Sequence, residues 1–407
     1  MKPQTLSYKE FVEDMLGEGG FVYIARCRKL AEKGYKVINL SIGQPDTPTP
    51  DGIIKVAVHS LILEKFTSYT ETPGIPELRE AIAEYLNERY GSDVSWEEVI
   101  VGPGAKAALF LAIAAYVREG DEVLIIEPAY PAYSEIAKVF RAKPVFVSLR
   151  FENTNGFRLD IEALVEKITK RTKMIVINNP HNPTGTVLTG KEIDAIVDIA
   201  RENKLLILAD EIYDNFVYDG AFRSLLSYPD WRDWLLYVNG FSKTFSMTGW
   251  RLGYLVVDRR ASQVLRKLAV NIWGCPTSFV QKAGARALRD HGIRKWVEKL
   301  VRRYREMRDL MYEGLQDLYG VEVWKSRGAF YLFPRIKRFL NTVGMGIEEF
   351  VEYLIDNYQL IVLPGSVFPD KAGEGYVRFS FSASREEIVE GVKRFREAVE
   401  ELLSRAK

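Results

Sequence analysis

Cysteine and histidine are nearly missing from this chain of 407 residues, which has two cysteines (Cys27, Cys275) and three scattered histidines (His59, His181, His291). Two cysteines cannot build a disulfide framework, and the histidines show no zinc-ligand spacing, so no metal is expected. Charge of either sign is not in excess: 56 Lys+Arg stand against 55 Asp+Glu, a net +1 that gives no reason to expect a nucleic-acid partner. Long apolar runs are also lacking. The longest, 107–117, falls short of the roughly 20 residues a membrane-spanning helix needs, so no membrane partner is expected. The first residues, MKPQTLSYKEFVED, contain no apolar signal core. With 47% hydrophobic residues there is ample material for a core, and the balance predicts a soluble, cytoplasmic protein. At roughly 150 residues per domain, two or three domains are expected.

Short, almost wholly apolar runs at 99–101, 123–126, 174–178, 205–209, 235–239 and 253–257 read as strands covered on both faces. Amphipathic helical patterns at 105–117, 133–140, 161–168 and 191–203 lie between several of them. That alternation predicts a mainly parallel α/β sheet with crossover helices. After about residue 290 the pattern changes to a long charged helix (293 to about 318). Runs at 321–323 and 329–333 follow, then a helix near 347–357, strands at 360–363 and 376–381, and a final helix at 385–403. This predicts a large α/β domain over 51–290 and a smaller α+β domain from 291–407, completed by residues 1–50. The charged run RRYREMR (302–308) reads as a solvated helix face.

Four stretches carry chemistry. GPGAKA (102–107) follows a strand and opens a helix, where free backbone N–H groups favour an anion. Gly104, Ala105 and Lys106 are therefore read as a phosphate seat. Spacing alone also admits a dinucleotide, because Glu127 ends the next strand 23 residues past Gly104. DEIY (210–213) places Asp210 at the carboxyl end of an apolar strand, where ligand sites of open α/β sheets lie; a helix cap or a structural carboxylate is the plainer alternative. A buried carboxylate there needs a donor or cationic partner, for which a protonated ring nitrogen serves. In NNPHNPTG (178–185) two prolines fix the backbone that aims Asn182, and His181 reads as a loop residue. SKTFSMTGWRLGY (242–254) is the most informative. Lys243 sits just past a strand among small, polar and apolar neighbours in sequence, a setting suited to a lysine that forms an imine with a carbonyl. Arg251 offers a fork of donors for a phosphate.

These blocks, in this order, resemble the class I/II aminotransferases, fold type I pyridoxal-phosphate enzymes. LSIGQPDTPTP from Leu40, SYTETPGIPELREAIAEYL from Ser68, EPAYPAY from Glu127 and YVRFSFSAS from Tyr376 extend the likeness over about residues 38–400. The resemblance implies a seven-stranded, mainly parallel sheet and pyridoxal 5'-phosphate as cofactor, and it displaces the dinucleotide reading. Lys243 is then the Schiff-base lysine. Asp210 faces the pyridine nitrogen, and Tyr213 and Asn182 face the ring's phenolic oxygen. Tyr130 lies on the ring, while Gly104, Ala105, Lys106, Ser242 and Arg251 hold the phosphate. Tyr69 is similar to the tyrosine that reaches the neighbouring subunit's cofactor, which implies a homodimer with shared sites. Arg378 takes the substrate α-carboxylate, helped by Gly43 and Asn182.

The chain departs from some relatives at Gly240, where they carry a phosphate-binding serine, and at Tyr130, where they carry tryptophan. No second arginine for a dicarboxylate side chain is identifiable. The expected activity is amino transfer from aspartate, an aromatic or a broad range of L-amino acids to a 2-oxo acid such as 2-oxoglutarate. The alternative is a lyase with the same cofactor, of the carbon–sulfur β-lyase or cyclopropane-forming type. A non-catalytic regulator would need a DNA-binding addition, for which about forty residues before the first block and no basic patch leave little room.

Overall fold

Seven short strands pair into one sheet, and in its central members charge is confined to the strand ends, as at Glu122, Glu127, Lys173 and Asp210. The strands are β1 (Val99–Gly102), β2 (Glu122–Glu127), β3 (Lys143–Ser148), β4 (Thr172–Asn178), β5 (Leu206–Asp210), β6 (Leu235–Gly240) and β7 (Gly253–Val256). The computed structural model describes residues 12–13, 15–17, 19–152, 156–369 and 371–406. The spatial order is β1-β7-β6-β5-β4-β2-β3. β7 runs antiparallel to both its neighbours and the other pairings are parallel, so the sheet is mixed though mainly parallel. Six of the seven strands match the sequence reading. The seventh, β3, escaped it: at the sheet's edge it is half-exposed and contains Pro144, so it lacks the continuous apolar run of a central strand.

Helices cover both faces. Val123, Ile125, Val176, Leu208 and Val238 enter the core formed with helices Ala105–Tyr116 and Arg259–Trp273. The alternate residues Leu124, Ile126, Ile175, Ile177, Ile207 and Ala209 enter another with helices Pro76–Tyr90 and Gly190–Asn203. The two-residue alternation expected of a strand thus sorts into two layers. A further core gathers Ile38 and Leu40 with residues of helices His291–Leu315, Ile347–Tyr358 and Arg385–Arg405. Ile38–Asn39 pairs in parallel with Leu360–Ile361, and Tyr331–Leu332 and Leu363–Pro364 flank Val377–Ser380 antiparallel. Helix His291–Leu315 links the two bodies, with Ile293 and Val297 in one core and Leu300 to Leu315 in the other.

Two expectations need correction. Residues 321–323 form no strand, only an isolated bridge between Glu322 and Arg335. RRYREMR is a solvated face only in part: Arg302, Arg305 and Glu306 are exposed, whereas Tyr304, Met307 and Arg308 are buried. Two of its arginines are held by partners remote in sequence. Arg308 pairs with Asp219 and donates 2.8 Å to the Ser326 carbonyl, and Arg303 pairs with Asp46. Arg308 is only 1% exposed, whereas Arg305, paired with the same Asp219 at 2.7 Å, is half-exposed. Arg308→Ala is therefore expected to cost about 3 kcal/mol in urea unfolding, because it removes a fully buried partner. Arg305→Ala should cost less than about 1 kcal/mol, as solvent already screens that pair.

Candidate active site

The carboxyl ends of the central strands meet residues 41–44 and the strand Val377–Ser380 around a cavity of about 620 Å³. Gly43, Ala105, Lys106, Tyr130, Asn182, Asp210, Tyr213, Ser242, Lys243, Arg251 and Arg378 all line it. Gly104 immediately precedes the lining residue Ala105 and sits beside Arg251. Tyr69 is the exception: it is 96% exposed and lies outside the cavity lining.

A row of glycines makes the anion seat possible. Gly102, Gly253 and Gly240 are register partners across β1, β7 and β6. A Cβ on Gly253 would collide with the backbone of Gly104 and Ala105. The bare row lets helix Ala105–Tyr116 bring its N-terminus against the sheet edge, with Gly104 at φ 91° as its cap and no capping side chain. Gly240 is fixed for the same reason, since a Cβ there would stand 3.0 Å from the Leu252 carbonyl. Ser242, two residues on, is the hydroxyl that reaches the cavity.

Asp210 ends β5, the middle strand, and is buried. One carboxylate oxygen accepts from the Tyr133 hydroxyl at 2.7 Å and the other from the Ile212 amide at 3.1 Å. Burial nevertheless pushes its pKa up to about 6, against the pull of these bonds and of Lys243. Lys243 lies three residues past β6, and its Nζ donates to the Gly43 carbonyl at 2.6 Å. Arg378 donates to Asn182 Oδ1 at 2.9 Å and to the Ser41 carbonyl at 2.6 Å; its buried Nε has no hydrogen-bond partner among the described residues. The Tyr213 hydroxyl lies 2.7 Å from that of Tyr331.

Sequence reasoning missed Tyr133 and Tyr331. Tyr133 carried a signal, standing one helical turn beyond Tyr130 at the start of helix Ala132–Val139. Tyr331 carried none, since its partner Tyr213 is 118 residues away. His181 agrees with the loop reading: burial lowers its pKa to about 4, and Nδ1 shares a hydrogen with Thr184 Oγ1 at 2.8 Å. Glu127, which a ribose would have needed, instead accepts from Ser148 at 2.6 Å.

The donor set fits a phosphorylated pyridine aldehyde. It offers a glycine-lined helix N-terminus with an arginine beside it, an amine, a carboxylate set to hold a ring N–H, and an unpaired Arg378 N–H toward a substrate anion. The model of the family "Aminotransferase class I and II" matches residues 35–395. The chain belongs to that family. It is 45% identical to the aspartate aminotransferase of Sulfurisphaera tokodaii, covering 95% of this chain and 96% of the relative. It is 37% identical to aromatic-amino-acid aminotransferase 2 of Thermococcus litoralis, covering 90% and 92%. The structure of Thermus thermophilus aspartate aminotransferase with maleate superposes with a TM-score of 0.89 at 31% identity, covering 97% of this chain and all of that one. This aminotransferase therefore uses pyridoxal 5'-phosphate and moves an amino group between an amino acid and a 2-oxo acid, and the lyase alternative falls away. Among the described residues no group of acidic, histidine or cysteine side chains is arranged to hold a metal, and no helix is long and apolar enough to cross a membrane.

The raised pKa of Asp210 has a testable sign. The folded, cofactor-free aminotransferase holds this proton where the unfolded chain, at the ordinary 3.8, has released it. That stabilisation is complete below about pH 4 and is lost as pH rises through about 6, a difference of about 3 kcal/mol. Cofactor-free Asp210→Asn should lack this loss. Urea midpoints at pH 4.5 and 7.5 should fall for the wild type relative to the variant, and parallel behaviour would contradict the assignment.

Proposed function

We propose that this aminotransferase takes aspartate as its main donor and 2-oxoglutarate as acceptor, with aromatic amino acids as secondary donors. The observation that carries the reading is the 45% identity to an aspartate aminotransferase over 95% of this chain, joined to the cations that line one cavity. Lys106, Lys243, Arg251 and Arg378 line it among the described residues. Arg251 suits the cofactor phosphate, Arg378 the α-carboxylate and Lys243 the chemistry. The Lys106 ammonium stands 5.6 Å from the centre of the Tyr130 ring in the same cavity. The relatives' names, aspartate and aromatic aminotransferase, support the same range.

Each site residue has a task within this reading. The amides of Ala105 and Lys106, the turn at Gly104, Ser242 and Arg251 anchor the phosphate. Tyr130 packs against the ring face, and Asp210, held by Tyr133, keeps a proton on the ring nitrogen. Tyr213 and the amide nitrogen of Asn182 donate to the ring oxygen. When bound, the cofactor supplies a conjugated ring that takes up the electron pair released at the substrate Cα. Arg378 grips the α-carboxylate and, with the backbone at Gly43, turns the Cα–H bond toward Lys243. Lys243 Nζ removes that proton and returns it one step later, first as base and then as acid.

The domain division at about residues 51 and 290 and the shared-site homodimer belong to the same reading. Ile54, Val58, Leu61 and Ile62 are exposed along helix Asp51–Ile62, with Leu63 just beyond its end, and a second copy of the chain is the partner that covers them. Tyr69, exposed here, then reaches the partner's phosphate.

The direct test is the visible spectrum of the holoenzyme. The band should bleach with aspartate and return with 2-oxoglutarate, while Lys243→Ala holds cofactor without turnover. Release of ammonia or pyruvate with no return of the band would refute amino transfer. Arg378→Ala should raise KM for aspartate and for phenylalanine alike by about tenfold or more, since both donors carry the α-carboxylate; an unchanged KM would remove its proposed role. Mixing Lys243→Ala and Tyr69→Ala chains should regain up to about a quarter of wild-type activity, because each hybrid dimer has one intact site. No gain on mixing would argue against shared sites.

A further inference from the structure

Tyr331 lies where the groups assigned above to carboxylate, ring oxygen and lysine come together. Its strand pairs Tyr331 with Ser380, and Arg378, two residues from Ser380, falls on the same sheet face. The Arg378 guanidinium stacks 4.4 Å from the centre of the Tyr331 ring, with Phe368 at 5.6 Å. The Tyr331 hydroxyl meets that of Tyr213 at 2.7 Å, the two rings standing edge to face. It also occupies the space a Cβ would need at residue 43, so only glycine fits there. Through Gly43 the contact continues to Lys243, whose Nζ donates to the Gly43 carbonyl.

We propose that Tyr331 is a positioning residue that couples the carboxylate clamp to the cofactor's ring oxygen. Its ring carries Arg378, and its hydroxyl donates to Tyr213 and so leaves the Tyr213 proton pointing at the cofactor. Two facing hydroxyls share one hydrogen bond, so Tyr213 can donate elsewhere only while Tyr331 donates to it. A donor that itself accepts a hydrogen bond is strengthened by it. The Tyr331 ring has no direct bond to the substrate in this account, and the inference rests on the roles given above to Tyr213 and Arg378.

The charges around the pair set the direction of the coupling. Arg378 lowers the pKa of both phenols against the stronger upward push of burial, and Asp210 raises that of Tyr213. Lys243 Nζ stands 5.9 Å from the Tyr213 ring centre, and Tyr218 lies near enough for its own pKa to feel Tyr331. When a substrate carboxylate pairs with Arg378, that cation polarises the two hydroxyls less. Tyr213 then becomes a weaker donor, and the bound cofactor holds a proton more tightly at the moment substrate has arrived.

The test uses the holoenzyme and the pH midpoint of its visible band, with and without maleate, a dicarboxylate that has no amino group to transfer. In Tyr331→Phe the midpoint should rise by about half a pH unit or more, and the shift caused by maleate should shrink to about half. Maleate affinity should stay within about twofold, because the stacking ring remains. Tyr331→Leu should show the same spectral change and, in addition, maleate binding about tenfold weaker. A Tyr331→Phe midpoint and maleate response equal to wild type overturns the coupling. So does a variant that fails to fold or load, since the hydroxyl would then be structural. A wild-type band that neither titrates nor responds to amino acids would instead refute the functional reading itself.

Discussion

The burial of one carboxylate at the end of the middle strand governs the rest of this site. Asp210 is placed where water is excluded on both sheet faces, so its charge is unfavourable until a cation meets it. Tyr133 and the Ile212 amide offset part of that cost but leave the pKa near 6. The remainder is available to whatever brings a protonated ring nitrogen to the strand end. Stability withheld from the empty chain becomes affinity and electron withdrawal in the loaded one. A carboxylate on the surface would stay comfortably ionised and offer neither.

That placement follows from topology. The parallel strands β4, β5 and β6 all end on one side, so Asn178, Asp210 and the loop bearing Lys243 converge without long-range instruction. The antiparallel β7 serves a different purpose. Its Gly253 sits between Gly102 and Gly240 and opens the space that the helix N-terminus at Ala105 fills. The helix start at Ala105 and the carboxylate of Asp210 are thus set by different strands of one sheet. Other lining residues, 41–44 and 378, come from segments next to Leu40, Val377 and Phe379 of the separate core.

Much of this was legible in the sequence, and the boundary of legibility is physical. The five central strands and the buried edge strand β1 are covered by helices and so are written as mostly apolar runs, which is why six strands could be read directly. β3 lies at the edge, where half of each residue faces solvent, and its mixture of Lys143, Pro144 and Ser148 is not diagnostic. Lys243, Asp210, Asn182 and Arg378, picked out by motifs far apart in sequence, are brought by the fold to one cavity. Arg308 was not legible, since nothing near it in sequence announces that Asp219 and Ser326 will enclose its charge.

Tyr331 marks the same boundary inside the site. Local sequence shows only an aromatic in a short apolar strand, which a core position explains equally well. Its significance comes from three distant segments: Gly43, which yields space to the hydroxyl; Tyr213, which shares its hydrogen; and Arg378, which rests on its ring. A leucine there would fill the same core volume, yet it would leave the guanidinium without a π face and the Tyr213 hydroxyl without a donor. Packing accounts for a large apolar group there and the guanidinium for its π face, whereas the phenolic oxygen is explained by the hydrogen it shares with Tyr213.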